Sequence, residues 1–285
     1  MTRLYGIIGH PVGHTLSPVM HNAAFERLKI DAEYKTFDIE PRDLGDFLST
    51  LAERGISGIN VTIPHKIEAR RYIEKSGILD KEAIKLGAVN TVNVEGKTLK
   101  GYNTDGAGFY RSLVMDLKFE PEGKTVFVLG AGGAATAIVM YLGTGPKKIF
   151  VMDEDASRAG ELAARYKTYF KSDKLSVCRA EELEASLMES DLFVNATPIG
   201  MKDGDQAPVD VKLMRQGRYL YDLVYNFPQT ALVKAANARK IHAATGIGML
   251  LCQGAIAFEI WTGLKAPVDV MKRALVERFR NVKAD

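Results

Sequence analysis

Residues 124–135 read KTVFVLGAGGAA, and they give the clearest indication of the fold in the chain. Residues 124–129 are rich in β-branched and apolar side chains, which predicts a buried strand. The glycines that follow permit a tight turn, and residues 134–142 then have the composition of a helix. Residues 148–152 (KIFVM) predict another strand, so the segment is expected to form a βαβ unit.

The turn in this unit fits the pattern G-x-G-x-x-A, through Gly130, Ala131, Gly132, Gly133, Ala134 and Ala135. In this pattern the first glycine permits the tight turn, the second lets the backbone approach a pyrophosphate, and the third small residue lets helix and strand pack closely. The helix N-terminus also offers free N–H groups to phosphates. The alternative is a glycine-rich turn without a ligand. Because a strand precedes the motif and a helix and strand follow it, we expect a dinucleotide-binding Rossmann domain.

Asp153 follows the second strand, at about the distance of 20 residues where such domains bind the adenosine ribose. A carboxylate there accepts hydrogen bonds from both ribose hydroxyls and repels a 2′-phosphate. Glu154 and Asp155 add negative charge, and the nearest arginine is Arg158, one helical turn further on. We therefore expect NAD to be favoured, with NADP possible. The alternative is that Asp153 and Asp155 only cap the next helix.

The first third of the chain alternates predicted strands with predicted helices, the first of which begins at Ser17-Pro18 with Ser17 as its N-cap. Polar side chains stand where the strands end. Asn60, Thr62 and Lys66 follow one strand, and the segments Asn90-Thr91 and Asn103-Thr104-Asp105 repeat the pattern at two further ends. Each of these residues alone is compatible with turn chemistry. Together they predict a site for a small polyhydroxylated molecule, since ligands of α/β folds gather outside the carboxyl ends of strands.

Length and composition limit the classes of function. A chain of 285 residues usually forms two domains, and 46% hydrophobic with 26% charged residues is typical of a globular protein. The net charge of +3 and the absence of a long basic run argue against nucleic-acid binding. No apolar run reaches membrane-spanning length. Cys178 and Cys252 lack a CxxC pattern and indicate reduced thiols in a cytoplasmic protein. We expect no metal site, because Pro11 and Gly13 separate His10 and His14.

Eight motifs, in order along the chain, make it resemble the shikimate/quinate dehydrogenase family over nearly its whole length. They are HTLSPVMHN (14–22), NVTIPHK (60–66), GAVNT (87–91), GYNTD (101–105), GAGGA (130–134), NATPIGM (195–201), DLVYN (222–226) and QGAIAFEIWTG (253–263). Thr15 stands where this family usually has serine, and Phe227-Pro228 replaces a proline directly after Asn226. Asp153-Glu154-Asp155 replaces the Asn-Arg-Thr that is typical of NADP-using members.

The resemblance implies two α/β domains with the active site in the cleft between them. Residues 1–106, completed by residues 247–285, would form the substrate-binding domain, and residues 107–246 the Rossmann domain. Lys66 and Asp105 would be the catalytic pair. The resemblance assigns the ring hydroxyls of the substrate to Asn60, Thr62, Asn90 and Gln253. It assigns the substrate carboxylate to Thr15 and Ser17 with Tyr225 nearby, and the nicotinamide end of the cofactor to Thr197, Gly246 and Met249.

The implied activity is the reversible, NAD(P)-dependent reduction of 3-dehydroshikimate to shikimate in aromatic amino acid biosynthesis. One alternative is an NAD-preferring quinate/shikimate dehydrogenase that serves quinate use. A second is a non-catalytic dinucleotide sensor, against which the presence of both Lys66 and Asp105 counts, because a sensor need not keep proton-transfer groups. The expected partners are small molecules, without nucleic acid or membrane, and the assembly is either a monomer or a homodimer.

Overall fold

A computed structural model of the chain describes residues 2–13, 15–202 and 204–281, so the prediction for His14 lies outside the described residues. The chain forms two compact units. Unit 1 comprises Met1–Asp105 and Leu251–Asp285, and unit 2 comprises Gly106–Leu250. In the described part of the chain, no helix is both long and apolar enough to span a membrane.

Unit 1 is an α/β unit built on one mixed sheet. Its strands are β1 (Arg3–Gly9), β2 (Ala32–Asp38), β3 (Ile56–Val61), β4 (Ile78–Leu79), β5 (Thr91–Glu95) and β6 (Thr98–Tyr102). Its helices are α1 (Ser17–Arg27), α2 (Leu44–Ser49), α3 (Lys66–Ser76) and α4 (Lys81–Leu86). The strand order is β2-β1-β3-β5-β6-β4, and β5 runs antiparallel to both of its neighbours.

Unit 2 has the architecture that the βαβ pattern predicts. Helix α5 (Asp105–Leu117) leads into strands β7 (Thr125–Leu129), β8 (Lys148–Met152), β9 (Leu175–Val177), β10 (Leu192–Asn195), β11 (Tyr219–Asp222) and β12 (His242–Thr245). Its further helices are α6 (Gly133–Leu142), α7 (Ala156–Phe170), α8 (Leu183–Glu189) and α9 (Ala231–Ala238). The order β12-β11-β10-β7-β8-β9, in which every pair is parallel, is that of a doubly wound Rossmann sheet. The expected fold class is confirmed.

The C-terminal helices complete unit 1. Helix α10 (Ile247–Thr262) begins in unit 2 and continues into unit 1, and α11 (Val268–Asn281) packs along α1. Trp261 of α10 donates its indole N–H to the carbonyl of Val92 at 2.9 Å and packs beside the rings of Tyr5 and Tyr34. Burial of this aromatic group accounts for the attachment of the last helices to the first sheet, since each such side chain buries a large apolar area.

Two local expectations are wrong. Ser17 is not an N-cap: α1 starts at Ser17 itself, Leu16 holds the cap position, and no side-chain cap bond forms. Residues 43–54, whose sequence predicts a helix that Gly55 ends, form a shorter helix, since α2 ends at Ser49 and turns lead to Gly55.

The prediction that polar residues follow three strand ends is wrong for one of the three strands. Asn90 precedes β5 rather than following a strand, and it comes close to Asn60 because β5 is antiparallel to β3.

Candidate active site

The polar residues of unit 1 meet because of the sheet register. Asn60 of β3 pairs with Thr91 of β5, and Thr91 pairs with Tyr102 of β6. The end of β3, the start of β5 and the end of β6 therefore lie side by side. The Asn, Thr and Asp side chains therefore meet at one edge of the sheet because of this register, and not because three strands end there.

Lys66 and Asp105 form an ion pair at this edge. Nζ of Lys66 donates to Oδ2 of Asp105 at 2.6 Å, and the two side chains are 25% and 9% exposed. Lys66 is the first residue of α3 and Asp105 the first of α5. Lys66 is thus half-buried, and the carboxylate that it contacts is almost fully buried. The structure thus places together the two residues that the resemblance assigns to catalysis.

Asn90 fixes the other oxygen of this carboxylate. Its Nδ2 donates to Oδ1 of Asp105 at 2.8 Å, while its own Oδ1 accepts from the backbone N–H of Thr104 at 2.8 Å. The backbone N–H of Asp105 donates to Oδ1 of Asn103 at 3.0 Å. Asp105 is therefore held by contacts on both carboxylate oxygens and on its backbone, which orients Oδ2 toward Lys66.

Asn60 lies in the same buried network. Its Nδ2 donates to the carbonyl of Asn90 at 3.2 Å and to Oγ1 of Thr91 at 3.1 Å. Thr62 follows β3 directly and is half-buried. Gln253, on α10, accepts a long hydrogen bond of 3.5 Å from Oγ1 of Thr104. The structure thus connects Asn60 with Asn90, which binds Asp105, and Gln253 with Thr104, whereas Thr62 is placed by its position directly after β3.

Thr15 and Ser17 form a separate pair of hydroxyls at the start of α1. Oγ1 of Thr15 donates to Oγ of Ser17 at 3.2 Å and accepts from the backbone N–H of Ser17 at 3.3 Å. Since Ser17 makes no cap bond, its hydroxyl is not committed to the helix. Two adjacent hydroxyl groups of this kind can donate to both oxygens of a carboxylate.

The glycine loop of unit 2 has the shape that a pyrophosphate requires. Gly130 has a φ of +105°, and a Cβ there would lie 2.9 Å from the carbonyl oxygen of Ala196. At Gly132 and Gly133 a Cβ would meet nothing within 4 Å, so the space beside them is open. Gly132 caps α6 without any side-chain bond, which leaves the first N–H groups of the helix available to a bound anion. The residues present therefore fit a dinucleotide.

Asp153 is oriented by this loop. Its Oδ2 accepts from the N–H of Ala131 at 2.6 Å and its Oδ1 from the N–H of Asp155 at 2.9 Å. Asp155, not Asp153, caps α7, by accepting from the N–H of Ser157. Arg158 lies 3.5 Å from Oδ2 of Asp155. The alternative that these residues only cap the next helix is therefore correct for Asp155, whereas Asp153 binds the backbone of the glycine loop.

Thr197, Tyr225, Gly246 and Met249 all belong to unit 2. Thr197 follows β10, where its hydroxyl donates to Oδ1 of Asn195 at 2.7 Å. Gly246 lies so close to the backbone of Leu223 that a Cβ would overlap it. The N–H of Met249 donates to the hydroxyl of Tyr221 at 3.0 Å. These interactions fix the backbone around Thr197, Gly246 and Met249, the residues that are predicted to contact the nicotinamide.

Several buried residues that contact these side chains or the backbone beside them are not among the residues predicted from the sequence. Asp222 is fully buried and accepts from Nδ2 of Asn195 at 2.8 Å and from the hydroxyl of Thr230 at 2.6 Å. Burial raises the pKa of Asp222, and the hydrogen bonds from Thr230, Asn195 and the N–H of Val224 oppose that rise. Asn195 and Asp222 are the first residues of the motifs NATPIGM and DLVYN. Each is a polar residue at the end of a predicted buried strand, and this feature of the sequence could have pointed to them. Tyr34 was also missed, and no local pattern marks it.

Comparison with known proteins gives consistent results along the chain. Family models match at residues 7–92 (shikimate dehydrogenase substrate binding domain), 114–201 (shikimate / quinate 5-dehydrogenase) and 246–276 (shikimate 5'-dehydrogenase C-terminal domain). The shikimate dehydrogenase (NADP(+)) of Methanopyrus kandleri is 42% identical over 98% of this chain and 97% of its own length.

Solved structures agree. A shikimate dehydrogenase in complex with NADP+ superimposes with a TM-score of 0.90 at 37% identity, covering 98% of this chain and 96% of that one. Quinate dehydrogenase from Corynebacterium glutamicum in complex with NAD gives a TM-score of 0.89 at 29% identity, covering 97% and 99%. The whole-length match to the Methanopyrus relative and the three family models lead to one conclusion: the chain belongs to the shikimate dehydrogenase family.

Proposed function

We propose that the protein is a shikimate dehydrogenase, which interconverts 3-dehydroshikimate and shikimate with a nicotinamide dinucleotide. The observation that carries the proposal is the Lys66–Asp105 pair at 2.6 Å, set among buried amide and hydroxyl groups at one edge of the sheet of unit 1. The name of the Methanopyrus relative supports the substrate. Unit 1 would bind the substrate and unit 2 the dinucleotide.

In this proposal the residues of unit 1 move the proton. When bound, the dinucleotide supplies or accepts the hydride. As the carbonyl oxygen of 3-dehydroshikimate gains negative charge, Lys66 stabilises that charge and donates the proton that completes the hydroxyl group. Asp105 holds the ammonium group of Lys66 in place, and Asn90 holds Asp105. In the reverse direction Lys66 takes the proton from shikimate.

The other unit 1 residues would bind the substrate without changing charge. Asn60, Thr62 and Gln253 would bind the ring hydroxyls, since amide and hydroxyl side chains suit a polyhydroxylated ring. Thr15 and Ser17 would bind the carboxylate through their adjacent hydroxyls. In unit 2, Tyr225 would lie near that carboxylate, and Thr197, Gly246 and Met249 would contact the nicotinamide end.

For the cofactor we propose that NAD is preferred over NADP. Asp153 supports this, because its carboxylate is oriented by the glycine loop that would hold the pyrophosphate. Arg158, the nearest arginine, is placed beside Asp155. The names of the Methanopyrus relative and of the NADP+ complex favour NADP, whereas the Corynebacterium quinate dehydrogenase was solved with NAD. The charge of Asp153 thus predicts a preference for NAD, and the names of the relatives predict a preference for NADP. Kinetic measurements with both cofactors distinguish the two predictions.

The same carboxylate favours a second candidate, an NAD-preferring quinate/shikimate dehydrogenase. The purified protein should be assayed with shikimate and with quinate, each with NAD and with NADP. We expect turnover of shikimate with a kcat/KM above that for quinate. A higher kcat/KM for quinate would support the second candidate. Dinucleotide binding without turnover of either substrate would contradict both and support a sensor.

A further inference from the structure

Tyr34 lies behind the predicted substrate-binding residues and is 2% exposed. It belongs to β2, and Asn22 of α1 binds its backbone on both sides: the N–H of Tyr34 donates to Oδ1 of Asn22 at 2.8 Å, and Nδ2 of Asn22 donates to its carbonyl at 3.1 Å. The ring of His21 stacks on the ring of Tyr34 with centroids 4.4 Å apart and an interplanar angle of 8°. The ring of Tyr34 is therefore fixed from its backbone and from one face.

The Tyr34 hydroxyl contacts Asn60. It donates to Oδ1 of Asn60 at 2.7 Å. Burial raises the pKa of Tyr34 well above its usual value, so this hydroxyl keeps its proton and acts as the donor to Asn60. A buried hydroxyl on a fixed ring thus binds the residue that is predicted to hold a ring hydroxyl of the substrate.

These contacts determine which way the Asn60 carboxamide points. The carbonyl of Asn90 can only accept, so the atom of Asn60 that faces it is Nδ2, and Oδ1 faces Tyr34. Both hydrogens of Nδ2 are used, one by Asn90 and one by Thr91. What Asn60 keeps for a ligand is the second lone pair of Oδ1. Asn60 can therefore accept a hydrogen bond from a substrate hydroxyl but has no hydrogen left to donate.

We propose that Tyr34 is a positioning residue for substrate binding, which holds Asn60 as a hydrogen-bond acceptor. Without the Tyr34 hydroxyl, Oδ1 loses its fixed donor, and the carboxamide is held only on its Nδ2 side, so that Oδ1 is placed less precisely for a substrate hydroxyl. Because Tyr34 acts on groups that bind the substrate and not on the Lys66–Asp105 pair, its loss should affect KM and leave kcat nearly unchanged. This inference rests on the proposed function.

The test is Tyr34→Phe, which removes one oxygen atom from a fixed ring. We expect KM for shikimate to rise about tenfold, the size of one lost hydrogen bond, with kcat within about threefold of the unchanged protein. Tyr166→Phe is the matched control, because the Tyr166 hydroxyl makes a buried hydrogen bond of the same length, 2.7 Å, to the carbonyl of Gly143 in unit 2. It should leave KM for shikimate unchanged.

A double-mutant cycle with Asn60→Ala separates positioning from general loss of stability. In the Asn60→Ala background, Tyr34→Phe should raise KM by no more than about twofold, because its main partner is gone. An equal rise in both backgrounds, or a fall in kcat at constant KM, would overturn the inference. If Tyr34→Phe does not fold, p-aminophenylalanine at position 34 retains a donor on a ring of the same size. It should keep KM within about threefold, and a tenfold rise there would overturn the inference as well.

The two proposals fail in different ways. If the unchanged protein does not oxidise shikimate with either cofactor, the proposed function is wrong. If it does, and Tyr34→Phe has an unchanged KM, only the role of Tyr34 is wrong.

Discussion

Lys66 and Asp105 are each the first residue of a helix, and Nζ of Lys66 donates to Oδ2 of Asp105 at 2.6 Å. A carboxylate at a helix N-terminus is favourable, whereas a cation there is unfavourable by about 0.3–1 kcal/mol. The position of Asp105 thus suits its helix, and that of Lys66 does not. Asp105, itself bound by Asn90, holds Lys66 at a place that helix stability does not explain but that the proposed catalytic role requires.

Ser17→Ala and Thr15→Ala should mainly raise KM for shikimate. The substrate carboxylate does not change charge during the reaction, so hydroxyls that bind it contribute equally to ground state and transition state. Since Ser17 makes no cap bond, we expect its replacement to leave the melting temperature within about 2 °C. Steady-state kinetics and thermal unfolding check both parts. Normal KM in both variants would place the carboxylate elsewhere.

Gly132→Ala and Gly130→Ala should differ in their effect on stability. A methyl group at Gly132 enters open space beside the helix N-terminus, so we expect little change in melting temperature but at least about a tenfold weaker dinucleotide affinity. At Gly130 the φ of +105° and the nearby carbonyl of Ala196 oppose any side chain, so that variant should also lose about 1–3 kcal/mol of stability. Calorimetric titration and unfolding measure the two effects. Tight binding by the Gly132 variant would contradict the loop assignment.

The kcat/KM for NAD should exceed that for NADP by about tenfold or more. A 2′-phosphate would meet the Asp153 carboxylate, and a like-charge contact near 4 Å costs on the order of 4 kcal/mol before relaxation and screening. Asp153→Asn should reduce the preference. Glu154→Gln, on the exposed neighbour, is the control and should have a smaller effect. A clear preference of the unchanged protein for NADP would rule out Asp153 as the determinant of cofactor choice.

His21 should make stability depend on pH. Burial lowers the pKa of His21 to about 3, and its neighbours Tyr34 and Trp261 carry no charge. The unfolded chain binds a proton on this residue below its usual pKa of about 6.5, whereas the folded chain does not, so stability is lost as pH falls through that interval. Between pH 7 and 5 the loss from this one group is roughly 2 kcal/mol.

Denaturant unfolding at both pH values checks this prediction. His21→Gln should lose roughly 2 kcal/mol less than the unchanged protein over that interval. His242→Gln, at an exposed position, should behave like the unchanged protein. Equal losses in the His21 variant and the unchanged protein would refute the prediction.

The parts of the site that depend on patterns among residues close together in the sequence could be predicted. The glycine turn follows from the order strand, turn and helix, and Asp153 follows from its distance along the chain. The eight motifs identified the family and with it the Lys66–Asp105 pair, 39 positions apart. The position of Asn90 was misread, because only the antiparallel register of β5 shows that a strand start, not a strand end, lies beside Asn60.

Buried support residues were not predictable in the same way. Tyr34 looks like an ordinary aromatic residue of a strand, and its role depends on a contact with Asn60, 26 positions away. Ser17 looks like a helix cap, since Pro18 follows it, yet the cap position falls on Leu16. The first case depends on a tertiary contact and the second on where the helix backbone begins, and local preference shows neither.

Whether Lys66 transfers the proton can be measured from kcat of the Lys66→Ala variant. Lys100→Ala is the control, because Lys100 also lies in unit 1, is 32% exposed and pairs with Glu95 at 2.7 Å. We predict that Lys66→Ala lowers kcat for shikimate oxidation by about 10²–10⁴-fold with KM changed only a few-fold, while Lys100→Ala keeps normal kinetics. A Lys66→Ala variant with near-normal kcat would contradict the account.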